Sequence, residues 1–278
     1  MRVTIDGYYG AIEQTIAVQY AIDGKLTADY ATDIVEGSVV SVIPMQLLDT
    51  STGTVLVQNM DCASVVYADA TSITGGYVPV ISEGKFNALY AGKYTLTYSA
   101  TYNEKQYTKE VEISVARASA RPDEVESFDS PVSCDGLEGN HIDSKTWLSE
   151  YKGESGVAKL TCVGENKWPE IRFTPRQSMT AYEGYDYIVL RMYITGGIPD
   201  DIYFTNDDEI NDSVKKKAVI KDAWHDYVFD ISAFKKHWKD KDGGGFTLSD
   251  KAKVCLYSGT TGDVQIYIAD ISVRKAEQ

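Results

Sequence analysis

Apolar and polar residues alternate along much of this chain, the two-residue period of strands buried on one side. In "GKYTLTYSATYNEKQYTKEVEISV", Tyr94, Leu96, Tyr98 and Ala100 share one side, with Thr95, Thr97 and Ser99 on the other. A turn at Asn103-Glu104 separates them from a second run in which Val111, Ile113 and Val115 share a side, so the segment predicts a hairpin. Upstream, "GSVVSVIPMQLLD" and "GTVLVQNM" read as further strands between Gly and Asp turns. With no convincing amphipathic helix among them, these elements predict a small β-sandwich.

The later sequence alternates as well. "YDYIVLRMYI" sets Ile188, Leu190, Met192 and Ile194 against Tyr187, Val189, Arg191 and Tyr193. "PEIRFTP" turns Ile171 and Phe173 inward and Arg172 outward; "DIYFTND" buries Ile202 and Phe204 and exposes Tyr203. "KVCLYS" opposes Val254 and Leu256 to Cys255 and Tyr257, while "DVQIYIADISV" is apolar on both faces and reads as a central strand. "DAWHDYVFDIS" gathers a histidine, three aspartates and a tryptophan, yet it too alternates. Tyr227, Phe229 and Ile231 share one side, with Asp226, Val228 and Asp230 on the other. His225 is therefore read as structural or exposed at a strand's entry. About eight or nine strands in this half are what a two-sheet jelly roll needs. The fold class expected is all-β, an immunoglobulin-like β-sandwich followed by a jelly-roll β-sandwich.

Composition divides the 278 residues in two. All four tryptophans, all three histidines and six of seven phenylalanines follow residue 118. The stretch "VARASARPDEVES" is small, polar and proline-bearing, as a linker is. The domains expected are 1–118 and 119–278. The first has 7 basic and 13 acidic residues, net −6; the second has 20 and 28, net −8. With a net charge of −14, neither half offers the basic footprint that a nucleic-acid or anionic-membrane partner requires. Lys215, Lys216 and Lys217 read as a solvated loop or edge strand. No apolar run suits a transmembrane helix. "MRVTIDGYYGAIEQ" lacks the apolar core of a signal peptide, so the chain is either cytoplasmic or a piece of a longer exported one. Cys62, Cys134, Cys162 and Cys255 show no zinc spacing and leave both buried thiols and one disulfide in the second half open. No nucleophile, metalloprotease or phosphate-cradling motif appears, so no catalytic residue is assigned and no enzyme is expected. A structural or adhesive cell-surface protein that binds a protein partner stays open as the alternative, and a glycan-active enzyme after it. "DGGGF" at 242–246 reads as a turn.

The Gly-x-Tyr-Thr-x-Thr-Tyr-x-Ala-Thr run at Gly92 to Thr101, closing on Val-x-Ile-x-Val, resembles bacterial immunoglobulin-like domains, which implies a spacer. The succession "ESFDSP", "YKGESGVAKLTC", "KWPEIRFTP", "YDYIVLRMYI", "AWHDYVFDISAF" and "VQIYIADISV" resembles the galactose-binding-like jelly rolls found as carbohydrate-binding modules beside glycoside hydrolases. That likeness implies polysaccharide or oligosaccharide binding at the bacterial cell surface or outside the cell, next to further domains. It also implies a structural Ca²⁺ held by Asp129 and Asp270, although Ala269 stands where the family's pattern has another aspartate. Aromatic faces stack on sugar rings. The expected ligand residues are therefore Tyr187, Arg191 and Tyr193 on one strand, and Arg172, Tyr203 and Tyr257 on strands that need not share its face. Trp147, Trp168 and Trp238 form a rival loop set, with Tyr151 beside Trp147. The family likeness assigns Trp224 to the core.

Overall fold

The computed structural model describes residues 2–7, 10–15, 21–73, 76–177, 179–197, 200–205, 214–231, 253–257 and 259–276, the first two stretches as backbone. The chain is all-β, with twenty strands and three short 3-10 turns among the described residues.

Strands β1 (Arg2–Gly7) and β2 (Gly10–Thr15) pair with each other. They are followed by β3 (Ile22–Leu26), β4 (Ser38–Ser41), β5 (Met45–Asp49), β6 (Thr54–Tyr67), β7 (Lys85–Ala88), β8 (Gly92–Tyr102) and β9 (Lys105–Val115). An antiparallel sheet runs β3-β5-β6-β8-β9, and β4 pairs with β7. The expected hairpin is β8–β9, in register from Gly92↔Val115 to Tyr102↔Lys105. Asn103 and Glu104 turn it with φ of 49° and 62°, the left-handed pair that matches strand twist in a two-residue loop. Tyr94, Leu96 and Tyr98 are fully buried and share a core with Val40 and Phe86 of the β4–β7 pair.

The second half comprises β10 (Glu124–Ser127), β11 (Leu137–Glu138), β12 (Ser144–Tyr151), β13 (Glu154–Cys162), β14 (Glu170–Phe173), β15 (Tyr187–Gly196), β16 (Asp201–Thr205), β17 (Val214–Ala218), β18 (Trp224–Asp230), β19 (Lys253–Tyr257) and β20 (Val264–Arg274). One sheet runs β12-β13-β20-β15-β18, with β10 also on β20; the other runs β11-β14-β19-β16-β17. From β14 on, strands alternate between the sheets except at the β16–β17 hairpin, the order of a jelly-roll sandwich. Ile188, Leu190, Met192, Ile202, Phe204, Tyr227, Phe229 and Leu256 fill the space between them. As expected, β20 is central, and β17, which carries Lys215 to Lys217, is an edge.

Among the described residues no strand pairing joins the sheets on either side of 117–123. Side chains do join them. Ser130 Oγ donates to Glu36 and accepts the Ala91 N–H at 3.0 Å. The Tyr90 ring stands edge-on to Trp147 at 5.3 Å. Cys62, Cys134 and Cys162 are free thiols, and burial pushes the Cys134 thiol up to about 12.

Candidate functional site: an aromatic row on an outer sheet face

Cross-strand register places Trp224 of β18 opposite Tyr193 of β15, Tyr193 opposite Tyr267 of β20, and Tyr267 opposite Lys159 of β13. These are the outward positions; their chain neighbours Ile194, Ile266 and Ile268 are fully buried on the inner side. Because directly opposed side chains touch across a sheet, three strands present a continuous row of rings. At about 4.8 Å per strand, the three rings span about 10 Å.

Tyr151 completes the row from the side. It ends β12, and its ring lies parallel to that of Tyr267 at 3.8 Å and 2°, edge-on to Tyr193 at 5.5 Å and to Trp224 at 6.3 Å. The β12–β13 turn brings it there through Lys152 and Gly153, both with positive φ. Beneath it, Tyr193 and Tyr267 are only 3% and 4% exposed, and with Val157 they form a hydrophobic cluster separate from the main core. Tyr151 and Trp224 stay half-buried on top. The Trp224 indole N–H is covered and has no acceptor among the described residues. Burial raises the hydroxyl pKa of Tyr267, whose O–H donates to Gln265 Oε1 at 2.6 Å.

Polar rows border the rings on both sides. On one side, Thr195 donates to Asp222, and Thr195 opposes Gln265, which opposes Thr161. On the other side, Arg191 donates to Glu154 Oε1 from Nε and Nη2 at 3.1 and 2.8 Å, and to Asp226 Oδ1 from Nη1 at 3.2 Å. Hydrogen bonds from the guanidinium to Glu154, and then to Asp226, outweigh the lowering effect of burial and hold its pKa above the ordinary arginine value. Lys152 sits 4.3 Å over the Tyr193 ring and donates to its hydroxyl.

The expected ligand residues are redistributed by these facts. Tyr187, Arg191 and Tyr193 all lie on β15, with Tyr187 opposite Asp230 and Arg274 at the far end from the rings. Tyr193 is not an exposed ring but the buried base of the row, because Tyr151 folds over it. Arg172, Tyr203 and Tyr257 belong to the other sheet. Tyr203, expected exposed, is 7% exposed; it lies on a strand flanked on both sides, where cross-strand neighbours cover side chains. Arg172 is half-buried opposite Glu138 and Lys253. Tyr257 ends β19 opposite Asp201, its side chain outside the described set.

The loop set loses Trp147. Trp147 lies on β12 and points inward, 2% exposed, with its indole N–H donating to Phe128 O at 2.7 Å. Tyr151 is a strand residue too. Trp168 is 58% exposed and stands apart on the approach to β14. Trp238 and the glycine run at 242–246 lie outside the described residues. Trp224 is corrected in the opposite direction: it shares the outward side of Asp226 and Val228 rather than the core side of Tyr227 and Phe229. The family likeness placed it in the core; the register with Tyr193 turns it outward. His225, at the strand's entry, is exposed.

Asp129 and Asp270 meet arginines. Asp129 Oδ1 accepts from Arg117 Nε and Nη2 at 3.1 and 2.6 Å, and Oδ2 accepts from Ser127 at 3.0 Å. Asp270 Oδ1 accepts from Arg121 Nη2 at 3.0 Å. Arg176 reaches Glu124 and lies 3.5 Å from Asp129, and Arg117 Nη1 lies 2.7 Å from Glu126 Oε1. Among the described residues no group of three or more His, Cys, Asp or Glu side chains is placed to hold a metal. Calcium wants six to eight oxygens; here guanidinium groups already carry the positive charge, and this donor set does not fit the ion.

No protein-family model matches the sequence, and no curated protein matches it. Among solved structures, one describes the promiscuous specificity of carbohydrate-binding modules from the β-sandwich superfamily. The chain is similar to it at 14% identity over 92% of this chain and 98% of that one, with a TM-score of 0.32. The CBM51-2 and INT domains of Clostridium perfringens ZmpB match at 12% identity over 84% of this chain and 44% of that one, TM-score 0.27. Allantoicase matches at 12% over 91% and 72%, TM-score 0.30.

Proposed function

We propose that the second sandwich binds polysaccharide without catalysis on the outer face of its β12-β13-β20-β15-β18 sheet. The observation that carries this reading is the half-exposed pair Tyr151 and Trp224 standing on the buried Tyr193 and Tyr267. Rings supported from below lose little freedom when a sugar stacks on them, and the bordering Thr195, Gln265, Arg191 and Asp226 supply donors and acceptors for hydroxyls. The first sandwich acts as a spacer, and the pair belongs to a longer exported bacterial protein at the cell surface or outside the cell.

Affinity electrophoresis of the whole chain through gels containing neutral and acidic polysaccharides tests the reading. Retardation by at least one, abolished by Trp224→Ala and Tyr151→Ala but retained by Trp168→Ala, supports it. Retardation that ignores both platform variants, or none with any polymer, refutes it.

One observation favours a second reading, docking of a protein partner on the first sandwich. Val39, Val78 and Val80 are 64%, 78% and 73% exposed there. Tyr77 ties the segment that carries Val78 to Asn87, the residue opposite Val39. Adhesion that survives loss of the platform but not Val78→Asp would favour this reading.

A further inference from the structure

We infer that the polymer recognised on this face carries carboxylates, a conclusion that rests on the platform reading above and names its ligand class. Charge on the face is unevenly satisfied. Glu154 and Asp226 are both occupied by Arg191, Asp226 also by Arg274 at 3.2 Å, whereas Asp222 accepts the neutral Thr195 hydroxyl and keeps its charge on the Lys152 side. The four groups Glu154, Asp226, Arg191 and Arg274 thus neutralise one another.

Two lysines remain without an ion pair. Lys152 donates to the neutral Tyr193 hydroxyl and has the Asp222 carboxylate near enough to favour its charged form, but makes no ion pair among the described residues; Lys159 Nζ makes neither a hydrogen bond nor an ion pair there. Lys152 Nζ lies 4.3 Å from the Tyr193 ring centroid and Lys159 Nζ 5.8 Å from that of Tyr267. The two rings are adjacent, 5.9 Å apart, so the open ammonium groups flank the centre of the row.

Each ammonium has three donors and no acceptor, so both lysines have donors to spare for an anion. In a protein of net charge −14, two lysines without ion pairs beside stacked rings run against the overall sign of the charge. A uronate residue matches both features: an apolar ring face for Tyr151 and Trp224, and a carboxylate at the ring edge for Lys152 or Lys159. Neutral sugars offer the two ammonium groups only hydroxyl oxygens and no charge to balance theirs.

Polygalacturonate and alginate, each beside its carboxyl-reduced neutral counterpart, are the probes. The whole chain should bind at least one acidic polymer tenfold or more tightly than its reduced form, with affinity falling as salt rises. Lys152→Gln with Lys159→Gln should remove that preference at unchanged melting temperature, whereas Lys93→Gln, on the first sandwich, should keep it. Equal binding of acidic and reduced polymers, still dependent on Trp224, overturns the charge inference and leaves the platform reading standing. Acid preference that survives the double lysine substitution also overturns it. Binding of none of the four polymers overturns this inference, and the platform reading then stands or falls on the wider panel.

Discussion

Replacing Glu126 by Gln should stabilise the protein above neutral pH and change little in mild acid. Glu126 lies on β10, 4% exposed. Burial raises its carboxyl pKa to about 7 from 4.5, against the opposing pull of Arg117 and Arg176 and with a smaller push from Asp129. Arg117 Nη1 lies 2.7 Å from Oε1, near enough for an ion pair, yet Oε1 has no aligned hydrogen bond.

The sign follows from linkage. Below about pH 4.5 both folded and unfolded chains keep the proton, and the group costs nothing. Between 4.5 and 7 the unfolded chain ionises first, so stability falls as pH rises. The loss is complete once pH passes the folded value. At about 1.4 kcal/mol per unit, the shift amounts to roughly 3 kcal/mol. Gln keeps the shape without the titration. Urea unfolding at pH 5 and pH 8, followed by tryptophan fluorescence, checks this, since every tryptophan lies after residue 118. The variant should gain about 2–3 kcal/mol on the native protein at pH 8 and far less at pH 5. A loss at pH 8 would refute the reasoning, because it would mean that the pair with Arg117 outweighs desolvation.

Glu124, two residues away, should behave oppositely. Burial raises its pKa, but hydrogen bonds from Ser127, the Arg121 N–H and Arg176 outweigh that and lower it. Its stabilisation is present above the ordinary carboxyl range and lost as pH falls, so Glu124→Gln should destabilise at pH 7 and converge with the native protein in acid. Trp147→Ala should cost about 3–5 kcal/mol as a buried ring truncation, read as a lower urea midpoint at unchanged slope. Trp224→Phe should leave stability unchanged or slightly higher, because it removes a covered N–H that has no acceptor; a loss of over 2 kcal/mol would show that N–H to be paired. Ser130→Ala removes the partner of the Ala91 N–H, 1% exposed, and should cost about 1–3 kcal/mol in the same unfolding assay. Gly156→Ala should fail to fold or melt far lower in calorimetry. Its φ is +64°, and a Cβ would lie 2.2 Å from Phe128 O.

Alternation alone determined the all-β class and the strands that carry it clearly, such as β8, β9, β15 and β18, with their inner faces; β12, read as a loop, escaped it. A side chain's parity depends only on the backbone repeat, so Ile188, Leu190, Phe229 and Val254 could be assigned inward before any partner was known. Trp224 shares the outward parity of Asp226 and Val228, and assigning it to the core by family likeness misplaced it. Two-residue turn chemistry likewise gave the β8–β9 hairpin. Tertiary structure decided which outward residues meet. Tyr151, Tyr193, Trp224 and Tyr267 lie on four strands distant in sequence, and only register and sheet order bring their rings into one row. Burial on the outer face was equally hidden, since Tyr193 is covered by Tyr151 from a turn that no local pattern links to it. The arginines on Asp129 and Asp270 come from the linker and from the loop after β14. Such long-range pairing leaves no periodic trace, because it is set by where the chain returns rather than by the spacing of residues along it.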